Sequence, residues 1–322
     1  MLMEHLRGPG LGSNTPPGDR RGKLNKPGFR TEEKNMRWTP GGVSGDIEDR
    51  RDESGGGGGF GGFGGFRLGL GGMLVLGVLS LIFRRDLLTP FMGGSPTATV
   101  RESDPARKNA EQPMVEFVSF VIDDVQATFT KIFPEQYGGN YQRAKLVLFH
   151  DVLQDAGCGV AQSAMGPFYC PQDAKVYIDL GFYSELKNRF GASGDFAQAY
   201  VVAHELGHHV QNLVGTERKL RAAQRENPGA ANRLSVAMEL QADCLAGVWG
   251  HSAAQRGKLD PGDAEEGLNA AAAIGDDRIQ EMSTGRVSPE KFTHGSSAQR
   301  VGWFKRGFES GNVRSCDTFN SR

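Results

Sequence analysis

One uncharged apolar run divides this chain and limits where a folded core can form. It extends from Leu68 to Phe83, with arginines immediately on both sides. Sixteen residues of α-helix cover about 24 Å, somewhat less than the ~30 Å hydrocarbon core of a membrane. The side chain of Arg67 can lengthen the span, because its stem stays in the apolar layer while its charge reaches the interface. The run therefore predicts a single transmembrane helix over residues 67–85, which would make a membrane a partner of this chain.

A buried core helix and a cleaved signal sequence are the alternatives for this run. A core helix should not lie between two polar, weakly structured stretches, as this run does. A signal sequence should begin near the amino terminus and end at a small-residue cleavage site, and neither feature is clear here. Lys and Arg are equally frequent on the two sides, so the charge rule for membrane proteins does not decide the orientation.

The stretches that flank the run are poor in features that drive folding. Residues 1–66 contain Gly, Pro and mixed charges, including the run GGGGGFGGFGG from Gly55, which predicts a disordered tail. Residues 86–112 are predicted to be a polar linker, which leaves residues 113–322 as the folded domain. The chain has 37 basic and 38 acidic residues, so no overall field favours a nucleic-acid partner.

Helical and strand periods alternate in this domain, and together they predict an α+β fold. Apolar residues at helical spacing predict helices at Val115–Phe133, Phe196–Val214, Asn232–Lys258, Leu268–Ile274 and Ala298–Phe308. Short β-branched runs predict strands at Lys145–Phe149 and Val176–Leu180.

The four cysteines all lie behind the apolar run, at Cys158, Cys170, Cys244 and Cys316. An even number favours two disulfides in an oxidising compartment, and the short paired spacings of a zinc knuckle are absent from the sequence. Reduced thiols in a cytosolic domain are the alternative. Of the three possible pairings we favour Cys158–Cys170 with Cys244–Cys316, which would place the domain outside the cytoplasm.

The segment YVVAHELGHHVQNLV carries the motif that points to chemistry, His-Glu-x-x-His at His204, Glu205 and His208. On a helix the two histidines lie about 40° apart round the axis, so both imidazoles can reach one Zn²⁺ ion. Glu205 is offset by about 100° and can address a water on the metal. Exposed histidines on an ordinary amphipathic helix are the alternative, but the apolar flanks favour a metal site.

A catalytic zinc ion needs a third protein ligand and one open position. The segment SVAMELQADCLAG carries Glu239 and Asp243 on one face of a helix that is otherwise mostly small and apolar. Two acids there are costly unless they pair or bind a metal. We expect Glu239 to be the third ligand and Asp243 to accept a hydrogen bond from a ligand histidine. An ordinary exposed acidic pair is the alternative.

Several segments resemble those of the bacterial putative neutral zinc metallopeptidases of the YpfJ type. They are HELGHHVQ, MELQADC, AGVWGHS, FTHG, WFKRGF, AQSAMGPFYCP and GDFAQAYV. The resemblance implies a zincin-like domain with a glutamate as third ligand, one membrane anchor and a peptidase domain outside the membrane. It begins at the Met-Arg-Trp of residues 36–38, which is where such proteins typically start, so residues 1–35 depart from the pattern.

Thr293-His294-Gly295, followed by Arg300, is similar to a stretch of the HtpX-type membrane peptidases. A histidine or an arginine could stabilise the oxyanion that forms during peptide hydrolysis, which makes His294 and Arg300 candidates. Capping and packing are the alternatives for both. Val176–Leu180 is a candidate edge strand for binding an extended peptide.

These features together predict a membrane-anchored zinc peptidase that acts on peptides or unfolded proteins. A zinc-activated water would attack the peptide bond while Glu205 serves as general base and returns the proton to the leaving amine. Two other classes remain open: an anchored zinc protein without catalysis, and an envelope interaction module that uses its glycine-rich tail. The sequence does not indicate an oligomeric state.

Overall fold

The computed structural model describes residues 36–53, 105–192 and 194–320, in which short strands alternate with longer helices. The strands are β1 (Ile47–Asp49), β2 (Lys145–Phe149), β3 (Val152–Ala156), β4 (Gly159–Gln162), β5 (Phe168–Cys170) and β6 (Lys175–Asp179). The α-helices are α1 (Pro105–Tyr137), α2 (Gly181–Asn188), α3 (Asp195–Leu213), α4 (Thr216–Glu226), α5 (Ala231–Gln255), α6 (Asp263–Ala273), α7 (Asp276–Thr284) and α8 (Ser297–Ser310). This helix-rich arrangement confirms the predicted α+β class.

Four strands form one sheet in the order β1-β2-β6-β5. The first three are parallel, whereas β5 runs antiparallel to β6. The central strands β2 and β6 bury nearly all their side chains, as expected of parallel strands that are covered on both faces. The prediction that Val176–Leu180 forms an edge is therefore wrong. The chain reaches β6 through a tight turn from β5, and β5 takes the edge position.

A hairpin of β3 and β4 lies beside this sheet and is tied to it covalently. Its turn carries Cys158, which forms a disulfide with Cys170 of β5. Leu153 and Ala161 of the hairpin pack with Tyr177 of β6 in a small apolar cluster. The hairpin thereby covers one face of the sheet near its edge strand.

The helices α5 and α8 touch through their backbones. A Cβ atom at Gly247 would lie 2.1 Å from the carbonyl oxygen of Phe304, and one at Gly307 would lie 1.9 Å from that of Cys244. Only glycine fits at both positions. Cys244 also forms a disulfide with Cys316, so both disulfides have the pairing that the sequence favours.

The segment 36–53 belongs to the folded domain, and the prediction of a disordered tail is wrong for it. Its strand β1 pairs with β2, and Met36 is 3% exposed. The Trp38 ring lies 5.4 Å from that of Phe117 on α1. Buried Arg51 donates hydrogen bonds to acidic side chains of β1 and α1. These contacts are all long-range or polar, so no local apolar period in the sequence predicts them.

Helix α1 begins at Pro105, inside the predicted linker 86–112. Its first turns are charged and precede the apolar stretch, so the apolar period does not mark where the helix starts. Most of the predicted tail and linker, and the whole predicted transmembrane helix at 67–85, lie outside the described residues. Among the helices of the described residues, none combines the length and the hydropathy that crossing a membrane requires.

Candidate metal centre

The motif helix α3 runs through the core, so most of its side chains are buried. It begins after Gly194 and ends just before a glycine in the left-handed conformation at Gly215. The single glycine within α3, Gly207, lies inside the His-Glu-x-x-His motif. A Cβ there would lie 3.0 Å from the carbonyl oxygen of Ala242 on α5, tighter than side chains normally pack. Gly207 therefore lets α5 approach the motif closely.

This approach brings Glu239 of α5 to the two motif histidines. Its carboxylate oxygens lie 3.2 Å from the Nε2 of His204 and 3.5 Å from the Nε2 of His208. One ligand atom from each of the three residues lies within 4.8 Å of the other two. The side chain of His208 is 15% exposed and that of Glu239 is 19% exposed. The cluster is therefore open to a small ligand on one side. Two imidazoles and a carboxylate with one open side are the donor set of a catalytic zinc site.

The other ring nitrogen of each histidine is held by an acceptor. The Nδ1–H of His204 donates to Asp243 over 2.8 Å, and that of His208 donates to the Oε1 of Gln211 over 2.8 Å. Both Nε2 atoms thereby face Glu239, where the Nε2–H of His204 donates to the carboxylate over 3.2 Å and would give way to a bound metal ion. Such acceptors commonly orient metal-binding histidines. Asp243 therefore lies where the sequence analysis expects it.

Gln211 is a site residue that the sequence analysis does not single out. It is fully buried, and its amide donates to the Met238 carbonyl over 2.8 Å and to Gln241 over 3.0 Å. These two bonds fix the amide so that its oxygen faces His208. Its place one turn after His208 in an apolar helix is a signal that could have identified it.

Arg300 lies behind Asp243, on the Nδ1 side of His204. It is 2% exposed and donates from Nε and Nη2 to the two oxygens of Asp243, each over 2.9 Å. Its guanidinium approaches His204 on the Nδ1 side and also donates to Tyr200. A role at the oxyanion does not fit this position. Arg300 instead neutralises the buried carboxylate that orients His204.

His294 lies at the other side, in a loop that is folded round Asp276. One oxygen of Asp276 accepts hydrogen bonds from the backbone N–H groups of residues 293, 294 and 295. The other oxygen lies 3.2 Å from the Nδ1 of His294. The loop packs on α5 because Gly295 fits against Leu240. The side chain of His294 is 43% exposed, and its charge lowers the pKa of Glu239. His294 is therefore oriented, accessible and electrostatically coupled to the cluster.

Glu205 is buried beside the ligands, with 7% exposure. Burial raises the pKa of its carboxyl group, although the charges of His204 and His208 oppose the rise. In Glu239 the balance is reversed: burial alone would raise its pKa, but His208 and His294 hold it well below the usual value. The two glutamates thus differ in character, one ready to accept a proton and the other held ionised.

Tyr183 of α2 is a further neighbour of Glu205 that the sequence analysis does not single out. Its hydroxyl is buried and has no hydrogen-bond partner among the described residues. Burial raises its pKa, and the charge of Glu205 raises it further. The group thus remains a neutral donor close to the motif glutamate.

The remaining histidine of the motif segment is a structural residue. His209 is 1% exposed, and its ring nitrogens bond to the Tyr169 hydroxyl over 3.0 Å and the Gln142 carbonyl over 2.6 Å. Burial lowers its pKa. His209 therefore joins α3 to the edge strand β5 and does not face Glu239.

A family model described as putative neutral zinc metallopeptidase matches residues 36–319. The uncharacterized protein YpfJ of Escherichia coli K12 is 50% identical over 286 residues, which cover 88% of this chain and 99% of YpfJ. The uncharacterized protein Rv2575 of Mycobacterium tuberculosis H37Rv is 45% identical over 210 residues, which cover 62% of this chain and 68% of that protein. No solved structure matches the chain.

Proposed function

The chain belongs to the putative neutral zinc metallopeptidase family, and from this membership we propose that it is a zinc-dependent peptidase with its centre at His204, His208 and Glu239. The observation that carries the proposal is the convergence of two Nε2 atoms and one carboxylate within 4.8 Å. The outer nitrogens of both histidines are bonded to acceptors, so the donor set fits a zinc ion. A bound Zn²⁺ would supply a Lewis acid and lower the pKa of a water ligand.

Glu205 is proposed as the general base. Its carboxylate would take a proton from the attacking water and release it to the leaving amine. Burial supports this role because it raises the pKa of the carboxyl group towards the range in which a group both accepts and donates protons. The neutral hydroxyl of Tyr183 lies near this carboxylate and would help to orient it.

His294 is proposed to stabilise the oxyanion of the tetrahedral intermediate. Its Nδ1 lies 3.2 Å from Asp276, so its Nε2 is available for the substrate. Arg300 and Gln211 are proposed as positioning residues that act through Asp243 and His208. This division differs from the sequence analysis, which treats Arg300 and His294 as equivalent candidates.

The substrate is proposed to be an extended peptide or an unfolded protein. β5 ends the sheet and packs near the motif helix, with Tyr169 bonded to His209 and Asn212 of α3. An extended peptide could add to this edge by backbone hydrogen bonds and pass the metal centre. The role proposed for Val176–Leu180 therefore moves to Phe168–Cys170.

We further propose that the domain functions outside the cytoplasm, anchored by the apolar segment at 67–85. Two disulfides join all four cysteines, as is usual in an oxidising compartment. Alkylation and mass analysis of the protein from cells should find no free thiol. Four alkylatable cysteines in the native protein would contradict this location.

Substitution of Glu205 tests the proposed reaction. Glu205→Gln keeps size and helix propensity but removes the base, so zinc should remain bound while peptide cleavage falls at least ~10²–10⁴-fold. Glu226→Gln is the control, since Glu226 is an exposed residue at the end of α4 and should change neither quantity. Equal cleavage by wild type and Glu205→Gln would assign the hydrolysis to a contaminant. A wild type that holds zinc but cleaves no peptide of a broad library would favour the non-catalytic zinc protein.

A further inference from the structure

A second cluster of carboxylates lies at the start of the motif helix, apart from the metal centre. Asp195 is the first residue of α3, and Asp263 and Glu266 belong to the first turn of α6. One carboxylate oxygen from each of the three lies within 4.8 Å of the others. Three acids that converge in this way repel one another unless something positive lies between them.

The cluster contains buried oxygens that have no well-formed hydrogen bond among the described residues. Asp263 is 0% exposed; its Oδ2 accepts the backbone N–H of Asp260 over 2.8 Å, whereas its Oδ1 is buried without a hydrogen-bond partner among the described residues. Both carboxylate oxygens of Asp195 are also buried and make no well-formed hydrogen bond among the described residues, although the backbone amides of Met36 and Phe196 lie nearby. Buried polar atoms are rarely left unpartnered, so these oxygens point to a ligand.

Among the described residues, the positive side chain that acts on Asp263 offsets little of its charge. Arg37 lowers the pKa of Asp263, but Arg37 is 67% exposed and is paired with Asp260 at 2.6 Å. The amino-terminal ends of α3 and α6 favour negative charge, yet each offsets only a fraction of one charge. Burial still raises the pKa of both Asp195 and Asp263, and the nearby amides of Met36 and Phe196 offset only part of the rise at Asp195.

A glycine makes room for the third carboxylate. A Cβ atom at Gly194 would lie 2.0 Å from Oε2 of Glu266, so any side chain there would displace this carboxylate. The backbone N–H of Phe196 donates to the same oxygen over 3.3 Å. Gly194 also has φ of 117°, which other residues rarely adopt. The backbone at the start of α3 is thus shaped around Glu266.

We propose that Asp195, Asp263 and Glu266 form a Ca²⁺ site. Three carboxylates offer up to six oxygens, all hard donors, and Ca²⁺ takes six to eight oxygens in flexible geometry. Mg²⁺ prefers a strict octahedron in which it keeps several waters, which suits a buried all-carboxylate site less well. Zn²⁺ has its nitrogen ligands at the other cluster. The ion would join the start of the motif helix to α6 without touching the peptidase centre.

Thermal unfolding of the full-length, zinc-loaded protein in calcium-free buffer tests the site. Added CaCl2 should raise the Tm by roughly 5–10 °C when it is about 100-fold above its Kd. Asp263→Asn and Asp195→Asn should abolish this shift, and either variant suffices if the other does not fold. Glu265→Gln is the matched control, because Glu265 is an exposed acid in the same first turn of α6 and should keep the full shift.

Two further arms separate this site from the zinc centre and from other cations. Glu239→Gln should lose zinc but keep the shift with CaCl2, because the two clusters share no residue. MgCl2 at the same concentration should give a smaller shift. The proposal is overturned if CaCl2 does not raise the Tm of the wild type, if Asp263→Asn responds equally, if Glu239→Gln loses the response, or if MgCl2 matches CaCl2.

Discussion

The motif helix α3 carries one polar cluster at its centre and another at its start, and the two are built differently. At the centre, opposite charges alternate: Glu239 faces two histidines, and Asp243 lies between His204 and Arg300. At the start, three carboxylates face one another, and buried oxygens of Asp195 and Asp263 have no well-formed hydrogen bond among the described residues. The first cluster is held together by its own side chains. The second is the site that we propose for a bound cation.

The largest expected difference concerns stability without metal. Asp243→Asn leaves Arg300 as an uncompensated buried charge, and breaking a buried pair in this way typically costs about 3–5 kcal/mol. Asp263→Asn removes a repelling charge and should change the free energy of unfolding by less than about 1 kcal/mol in calcium-free buffer. Urea unfolding of the metal-free variants measures both. Equal losses would show that the two carboxylates have equivalent surroundings.

A smaller effect is expected at Gln211, which acts only through His208. Gln211→Leu removes the acceptor of the Nδ1–H bond, so zinc affinity should fall about 10–100-fold. Competition with a chromophoric zinc chelator measures the change. Gln224→Leu is the control, since Gln224 is on α4 and its amide donates to Ala231 and Ser235 rather than to a residue of the centre. The calcium response of Gln211→Leu should stay as in wild type. An unchanged zinc affinity in Gln211→Leu would show that Gln211 does not belong to the site.

The smallest effect on zinc is expected at His209. His209→Gln loses at least one of two buried hydrogen bonds, at a cost of about 1–3 kcal/mol in stability, yet zinc content should not change. Metal analysis of the purified variant checks this. Loss of zinc in His209→Gln would mean that the motif segment uses its third histidine as a ligand.

The same contrast explains what the sequence could predict. His204 and His208 share a helix face by spacing alone, and Glu239 and Asp243 do so on α5, so local periodicity was enough to propose the centre. Strand β2 has the bounds that the sequence predicts, because four apolar residues follow Lys145 in a continuous run.

Features that depend on distant contacts were not predictable in this way. Asp195 and Asp263 come together only because α3 and α6 begin at the same place, and no spacing rule connects them. Strand β1 is three residues long and is recognised only by its pairing with β2. Arg300 is a sequence candidate for the oxyanion role because the residue type can be read from the sequence, whereas the side from which it approaches His204 cannot.

Zinc content of three full-length proteins tests the central claim most directly. Wild type and Glu205→Gln should each hold about one zinc ion per chain, because the site has three protein ligands and Glu205 is not one of them. The double variant His204→Ala, His208→Ala should hold none, while its Tm should still rise with CaCl2 if it folds. Zinc retained at wild-type stoichiometry in the double variant would contradict the assignment of His204, His208 and Glu239 as the metal centre.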